Sequence, residues 1–351
     1  MKPFKFLSCL CMLLGLLVFL TGCPKSASYE AEPKGMVYFN FFDTVSYIYS
    51  YEDDTQKEFE ERCKGVTDIL GEYHRLFDIY YEHTGVNNLR TINLNAGKEP
   101  VEVDQKLIDF LLYAKELYQT TNGEMNIMMG SVLNIWHNHR ENASKDPSNA
   151  TIPTKEELEE AMLHTDISLL EIDEENRTVR ISDPKASIDV GALGKGYATE
   201  KAAKHLEKVN AESYVLNIGG NIRIVGHKPD GSGWGTGIKD PKDPEQYALK
   251  VTLADTSCVT SGDYERFYFV DGKKYHHVID KDTLMPSSHF SSVSIITKDS
   301  GLADALSTAL FTMSYEDGKK LVEKIGNVEV IWITPDGKQY LTDGISDIIM
   351  E

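Results

Sequence analysis

The sequence predicts an α+β fold, with mixed, largely antiparallel sheets and flanking helices in one two-lobed domain over residues 36–351. Three observations predict it. Long stretches of the first half carry apolar residues at every third or fourth position, which is helical spacing. From Ser168 onward, short runs rich in β-branched and aromatic residues dominate, punctuated by Gly, Asn and Asp turns. Helices interrupt those runs singly, without the regular strand–helix alternation of a doubly wound parallel sheet.

Residues 37–49 read as a strand, possibly a bent one, because Val, Tyr, Phe, Thr and Ile crowd there. Over 54–77 the apolar set Phe59, Cys63, Val66, Leu70, Tyr73 and Phe77 makes a first helix. A second runs over 104–120, with Leu107, Leu111, Ala114 and Tyr118 on one stripe. Thr154 and Glu157 have capping-box spacing, so a third helix begins there, behind a polar loop at 142–151. Strands are expected at 168–172, 178–182, 213–218, 222–227, 247–253, 265–270, 273–279 and 290–297. Helices are expected at 193–208, 301–313 and 316–325, with a last hairpin turning at Pro335-Asp336-Gly337.

The N-terminus is a targeting segment. Lys2 and Lys5 precede an apolar run over 6–20, too short for an ordinary membrane span. The run ends in Leu20-Thr21-Gly22-Cys23, which resembles the bacterial lipoprotein signal. Residues 1–22 are therefore expected to be a lipoprotein signal peptide, Cys23 the lipidated N-terminus, and 23–35 a flexible tether. Such a chain is anchored to the extracytoplasmic face of a bacterial cell membrane.

The formal charge of −19 argues against nucleic-acid binding, which needs basic charge to meet phosphates. A phosphate-rich ligand would need local neutralisation. Of five cysteines, Cys9 and Cys11 leave with the signal, and Cys63 and Cys258 remain besides Cys23. A disulfide between these two is open at this stage, but no disulfide framework exists, so the fold stands on its core.

Three stretches carry candidate chemistry. In Asp189-Val190-Gly191-Ala192-Leu193-Gly194-Lys195-Gly196-Tyr197-Ala198, glycines follow a strand and open a helix. Backbone amides and a helix N-terminus there can face an anion, with Lys195 adding a full charge. Tight strand–helix packing accounts for the same glycines, and the spacing fits neither the dinucleotide fingerprint nor a Walker loop. Asn217-Ile218-Gly219-Gly220-Asn221 is either a plain turn or a turn presenting amides to a base or ribose.

The C-terminal third holds Thr260-Ser261-Gly262-Asp263-Tyr264-Glu265-Arg266, read as lying between strands, and Tyr275-His276-His277-Val278-Ile279-Asp280 on a strand. With period two, the two histidines point to opposite faces, so one is structural and the other can act as acid or base. An ordinary histidine there would give a rate rising through about pH 6–7. On the following helix, Asp304 and Thr308 stack four residues apart. A carboxylate and a hydroxyl converging there suit Mg2+; a helix-turn aspartate and a threonine bonded to its own helix are the alternative.

Together these residues resemble the ApbE family, the FAD:protein FMN transferases, over nearly all of the chain behind the signal. The segments 191–198, 217–221, 260–264, 275–280 and 303–309 follow in family order. Upstream, Phe42-Asp43-Thr44 stands where the family usually has Met-Gly-Thr. Residues 76–80 and then Asn93 stand where it has a Leu-Ser-x-Tyr segment and a later asparagine. Gly123-Glu124-Met125-Asn126-Ile127 replaces Gly-x-Phe-Asp-Pro. These departures bear on flavin-ring contacts more than on phosphate chemistry.

The resemblance implies an ApbE-like flavin transferase fold with FAD, the substrate, in a cleft. It implies Mg2+ on the diphosphate, held by the carbonyl of Ala192 and by Asp304 and Thr308. Contacts to the dinucleotide are implied for Thr44, Tyr80, Asn126, Asp189, Lys195, Asn217, Gly219, Gly220, Ser261, Arg266 and His277. The catalytic pair implied is His277, as base, and Asp304. Asp280 can orient His277 only if the strand bends. The implied acceptor is a separate membrane or surface redox protein with an Asp-x-x-Ser/Thr-Gly-Ala-Ser/Thr motif, absent from this chain. Two rival readings remain: an FAD pyrophosphatase in which water replaces the acceptor, giving FMN and AMP, and a flavin-binding lipoprotein without chemistry.

Overall fold

Strand β1 (Lys34–Phe41) folds back as β2 (Thr44–Ser50) through Phe42 and Asp43, both at φ 52°. The run at 37–49 is thus a hairpin, not one bent strand. Its two turn residues take the left-handed conformation of the primed turns that match strand twist, without the Gly or Asn that usually announces them. These coordinates are a computed structural model that describes residues 32–350. The expected signal peptide, Cys23 and most of the tether lie outside the described residues, and Lys34 and Gly35 already belong to β1.

Helix α1 (Gln56–Phe77) starts at a reciprocal capping box between Thr55 and Glu58 and buries Phe59, Cys63, Val66, Leu70, Tyr73 and Phe77. Then come α2 (Leu89–Leu94), β3 (Val101–Glu102), α3 (Gln105–Thr120), α4 (Gly130–Lys145), α5 (Lys155–Met162), β4 (Leu170–Asp173) and β5 (Thr178–Ile181). The Thr154–Glu157 box opens α5 as expected. The polar loop expected at 142–151 is corrected. Asn142 to Lys145 close α4, which carries its apolar stripe (Val132, Trp136, Ala143) widely spaced among polar residues.

The second half holds α6 (Gly194–Lys208), β6 (Ser213–Ile218), β7 (Asn221–Gly226), β8 (Trp234–Asp240), β9 (Asp243–Leu253), β10 (Ser257–Gly262), β11 (Phe267–Val270) and β12 (Lys273–His276). After these come β13 (Ser292–Thr297), α7 (Ser300–Thr312), α8 (Tyr315–Ile325), β14 (Glu329–Ile333) and β15 (Gln339–Leu341). Thr260 to Gly262 lie inside β10 rather than between strands.

Eight strands form one sheet in the order β1-β2-β6-β7-β10-β13-β14-β15, with every neighbouring pair antiparallel. Both faces are covered. Leu216, Ile295, Val330 and Trp332 point to the side packed by α1, α6, α7 and α8, while Val215, Ile296, Ile331 and Ile333 face the β8–β9 hairpin. Alternation along each strand sorts them, and double burial is why these strands read as unbroken apolar runs. Cys63 and Cys258 belong to these different cores; both are free and buried, so no disulfide joins them.

One buried charge ties the centre together. Arg223 of β7, fully buried, donates its Nε to the Glu200 carboxylate of α6 at 3.1 Å. The same carboxylate oxygen accepts the backbone N–H of Ser300 at 3.0 Å, holding the first turn of α7. Helices α6 and α7 are thereby set against each other.

Candidate active site

The crossing of α6 and α7 is the centre of the site. Nearly every residue of α7 is buried, and Asp304 within it is 4% exposed. A Cβ on Gly196 would lie 2.3 Å from the Ser300 carbonyl oxygen and 2.4 Å from the Asp304 Cβ. Only glycine lets the helices cross so closely. The Gly196 N–H, one of the unpartnered donors at the start of α6, donates to Asp304 Oδ2 at 2.7 Å. Among the described residues, nothing hydrogen-bonds to the second carboxylate oxygen or to the carbonyl of Ala192.

Ser261 of β10 reaches the same place. Its hydroxyl lies 2.8 Å from Ser307 Oγ and 3.4 Å from Thr308 Oγ1. Asp304 at the start of α6, with Thr308 one turn further along α7 and Ser261 against it, thus makes an oxygen-only set, and the Ala192 carbonyl precedes α6 by two residues. Hard divalent cations accept such donors when substrate phosphates complete the shell. No group of three or more His, Cys, Asp or Glu converges among the described residues. An ion held here would depend on oxygens that its ligand brings.

His277 stands on the neighbouring β11–β12 ribbon. Register pairs Phe267 with His276, which sets Arg266 opposite His277. The two histidines do face opposite ways. His276 is buried, with Nε2 2.8 Å from the Ser287 carbonyl and its ring edge on Phe311. His277 has its Nδ1 enclosed without a hydrogen-bond partner among the described residues. Burial, then the charges of Arg266, His276, Arg140 and Lys195, lower its pKa to about 3. The imidazole is therefore neutral at physiological pH, the form a base requires, and the limb near pH 6–7 expected of an ordinary histidine is corrected. Asp280 does not orient it, because its Oδ1 accepts the backbone amides of Asp282 and Thr283 in a turn.

Asp189 leads into the glycine segment, and its Oδ1 accepts the Gly191 amide at 2.8 Å. Burial raises its pKa, against the pull of that amide and of His137, Arg266 and Arg140. Tyr80, half exposed, lies with its ring 5.4 Å from that of His137. His137 and Arg140, both on α4, escape sequence reasoning. The signal was a charged residue on a stripe with Val132, Trp136 and Ala143, legible only once α4 is recognised as a helix.

Other expected contacts resolve differently. Gly219 and Gly220, at φ 57° and 91°, form the two-residue turn between β6 and β7, and Asn217 Oδ1 accepts the Gly220 amide. Thr44 packs on this turn so closely that a Cβ on Gly219 would come within 2.5 Å of it. The Asn126 side chain is engaged inside the protein, accepting from Met128 N–H and donating to the Thr165 carbonyl. Two surface hollows lie elsewhere, one of them beside Arg75, Val86 and Asp104.

The ApbE family model matches residues 43–332, a span that contains every one of these groups. The chain belongs to the ApbE family. Among ApbE relatives, the FAD:protein FMN transferase of Treponema pallidum is 32% identical over 274 residues, covering 74% of each chain. The FAD:protein FMN transferase of Haemophilus influenzae is 27% identical over 337 residues, covering 93% of this chain and 92% of its own. The solved ApbE protein of Thermotoga maritima matches with a TM-score of 0.80 at 26% identity, covering 91% of this chain and all of that one. The flavin transferase ApbE of Vibrio cholerae shares the fold at a TM-score of 0.73 and 24% identity. The expected α+β architecture is thus the ApbE fold, and the named ApbE relatives are transferases.

Proposed function

We propose that this chain is an Mg2+-dependent FAD:protein FMN transferase that joins FMN through a phosphoester bond to a threonine or serine of another protein. The observation that carries the reading is the Asp304 carboxylate, seated on the N-terminus of α6 by Gly196 with Thr308 and Ser261 beside it. The family membership and the names of the relatives support it.

In this reading the diphosphate of FAD lies at the α6 N-terminus, where amides and Lys195 offset its charge in an acidic protein. Asp304, Thr308 and the Ala192 carbonyl would hold Mg2+, which when bound neutralises the diphosphate and polarises the bond to be broken. Since Nδ1 of His277 is enclosed, Nε2 is the nitrogen that meets the acceptor. The acceptor hydroxyl oxygen forms a bond to the phosphorus that bears the riboflavin. Its proton passes to His277 Nε2, the bond between the two phosphates breaks, and AMP leaves with the electron pair. The proposed acceptor is a membrane or surface redox protein with the Asp-x-x-Ser/Thr-Gly-Ala-Ser/Thr motif. The proposed location is the outer face of the cell membrane, through a lipid on Cys23. Among the described residues no helix is long and apolar enough to cross a membrane.

The test is incubation with FAD, Mg2+ and a peptide carrying the motif, followed by mass spectrometry. One FMN added to the peptide is the expected result. Free FMN and AMP with an unmodified peptide would make the chain a pyrophosphatase, and intact FAD would make it a binder; either overturns the reading.

A further inference from the structure

Strand β1 is an edge of the eight-stranded sheet, and its outer face is apolar and uncovered. Phe39 is 76% exposed and Val37 47%, and neither joins an apolar cluster among the described residues. Phe39 stands in a bulge, where it and Asn40 face Val45 alone. Such a bulge re-aims a side chain and blunts an edge against pairing with another strand. Val37 pairs with Tyr47 and Gly35 with Tyr49, so these four share one face, to which alternation along β1 also carries Phe39. The Tyr47 and Tyr49 rings stack 6.0 Å apart at 6°. The Tyr49 ring lies over Gly35, 3.1 Å from where a Cβ would stand. An aromatic strip thus crosses the hairpin beside the two exposed side chains.

Charge and the preceding chain indicate what covers it. From Lys34 to Ser50 the hairpin carries one carboxylate, Asp43 at its turn, in a chain with 55 acidic residues. An anionic lipid surface repels an acidic protein except where carboxylates are scarce. Tyrosine suits the headgroup level, because its ring is apolar and its hydroxyl is not, and phenylalanine seats just beneath it. Ten residues, 24–33, separate Cys23 from β1, a reach of at most about 35 Å when fully extended. Strand β1 is therefore the first element of the fold behind the proposed anchor. The tether makes surface contact an intramolecular event, so a small strip with weak lipid affinity is enough. A second copy is disfavoured. It would set two chains of formal charge −19 face to face, and the bulge interrupts edge-to-edge pairing.

We infer that the outer face of the β1–β2 hairpin docks on the lipid surface, with Phe39 and Val37 seated among the headgroups and Tyr47 beside them. The inference goes beyond flavin transfer and rests only on the anchoring at Cys23. A lipid on a tether leaves the folded domain free to turn, whereas docking through a sheet edge fixes which side faces the membrane. Thr44, next to the hairpin turn, packs on Gly219, so the orientation passes directly to the glycine turn between β6 and β7.

The experiment uses the full chain in its lipidated form, reconstituted in vesicles of phosphatidylglycerol and phosphatidylethanolamine. Cys63 and Cys258 are buried and Cys23 is blocked by its lipid, so an introduced cysteine alone takes a polarity-sensitive dye. Phe39→Cys carries the dye on the strip, and Leu163→Cys, 71% exposed at the end of α5, is the control. Both side chains stand in solvent, so thermal melts should match wild type. On reconstitution the dye at residue 39 should shift to the blue and lose emission to nitroxide-bearing lipids, while the dye at residue 163 does neither. Val37→Cys should report the same contact, and adding Phe39→Asp to it should abolish the shift. A dye at residue 39 that stays in water overturns the inference. So does a blue shift without quenching by the lipids, because protein, such as a second copy, then covers the strip. Mass spectrometry separates the anchor from the docking. A chain without lipid on Cys23 sinks the anchoring and the inference with it, whereas a lipidated chain with residue 39 in water sinks the inference alone.

Discussion

The amide of Gly196 and the carboxylate of Asp304 meet at 2.7 Å across 108 residues of sequence, where two helices cross too tightly for any side chain at residue 196. The contact seats one carboxylate oxygen and leaves the other without a hydrogen bond among the described residues. The site thus exists only when α6 and α7 are both in place.

Gly196→Ala tests the crossing. The added methyl must push α7 away, at about 1–3 kcal/mol of stability by the usual cost of overpacking. FMN transfer should fall even at temperatures where the variant is fully folded. Urea denaturation alongside the transfer assay checks this, and unchanged stability with full activity would show that the helices have room to spare.

Asp304→Asn keeps an acceptor for Gly196 and removes the charge. Transfer should drop roughly a hundredfold or more, as expected from losing a few kcal/mol of charge stabilisation. Thr308→Ala, losing a neutral oxygen, should cost much less. Rates across an Mg2+ titration decide; Asp304→Asn matching wild type at every concentration would refute the assignment.

The depressed pKa of His277, about 3, makes a pH prediction with a definite sign. The free enzyme should show no limb from His277 between about pH 5 and 8, unlike an ordinary histidine titrating near 6.5. The folded pKa lies below the unfolded one, so the unfolded chain binds the proton first. Stability due to this group is complete above about pH 6.5 and is lost as pH falls toward the folded value. His277→Gln should therefore unfold less readily in acid, while slowing transfer roughly a hundredfold or more and sparing FAD binding. A pH–rate profile and acid melts of both proteins are the measurements.

Arg223 and Glu200 set the helices from behind. Glu200→Ala leaves a fully buried guanidinium without the carboxylate on its Nε and the Ser300 amide without its acceptor. Because Arg223 keeps Glu207 at 2.7 Å, the loss should fall below the roughly 3–5 kcal/mol of a buried charge left wholly unpaired. A urea midpoint unchanged in Glu200→Ala would contradict this.

Cys23→Ser addresses the anchor. The variant should appear in the soluble fraction while retaining full transfer activity, since Cys23 lies outside the family span of 43–332. Continued membrane retention would rule out lipidation at this residue as the anchor.

Much of this was legible in the chain because much of it is local. Thr55 with Glu58 and Thr154 with Glu157 announce their helices through bonds three residues long. Asp304 and Thr308 share a helix face by spacing alone, and His276 and His277 part company by strand alternation. What misled was equally local. Asn142 to Lys145 read as loop because α4 exposes polar residues between its few buried ones. Nothing near Asn126 in sequence reveals the Thr165 carbonyl that takes its amide.

The sequence by itself determined the fold class, the helices with a clear capping box or apolar stripe, and the family. Tertiary structure alone decided that Gly196 would donate to Asp304, that Ser261 would join Thr308, and that Cys63 and Cys258 would lie in separate cores. The division is physical. Backbone hydrogen bonds and side-chain spacing act over three or four residues and can be read along the chain. Contacts across a hundred residues depend on which buried faces pack together, and that is settled only when the whole core forms.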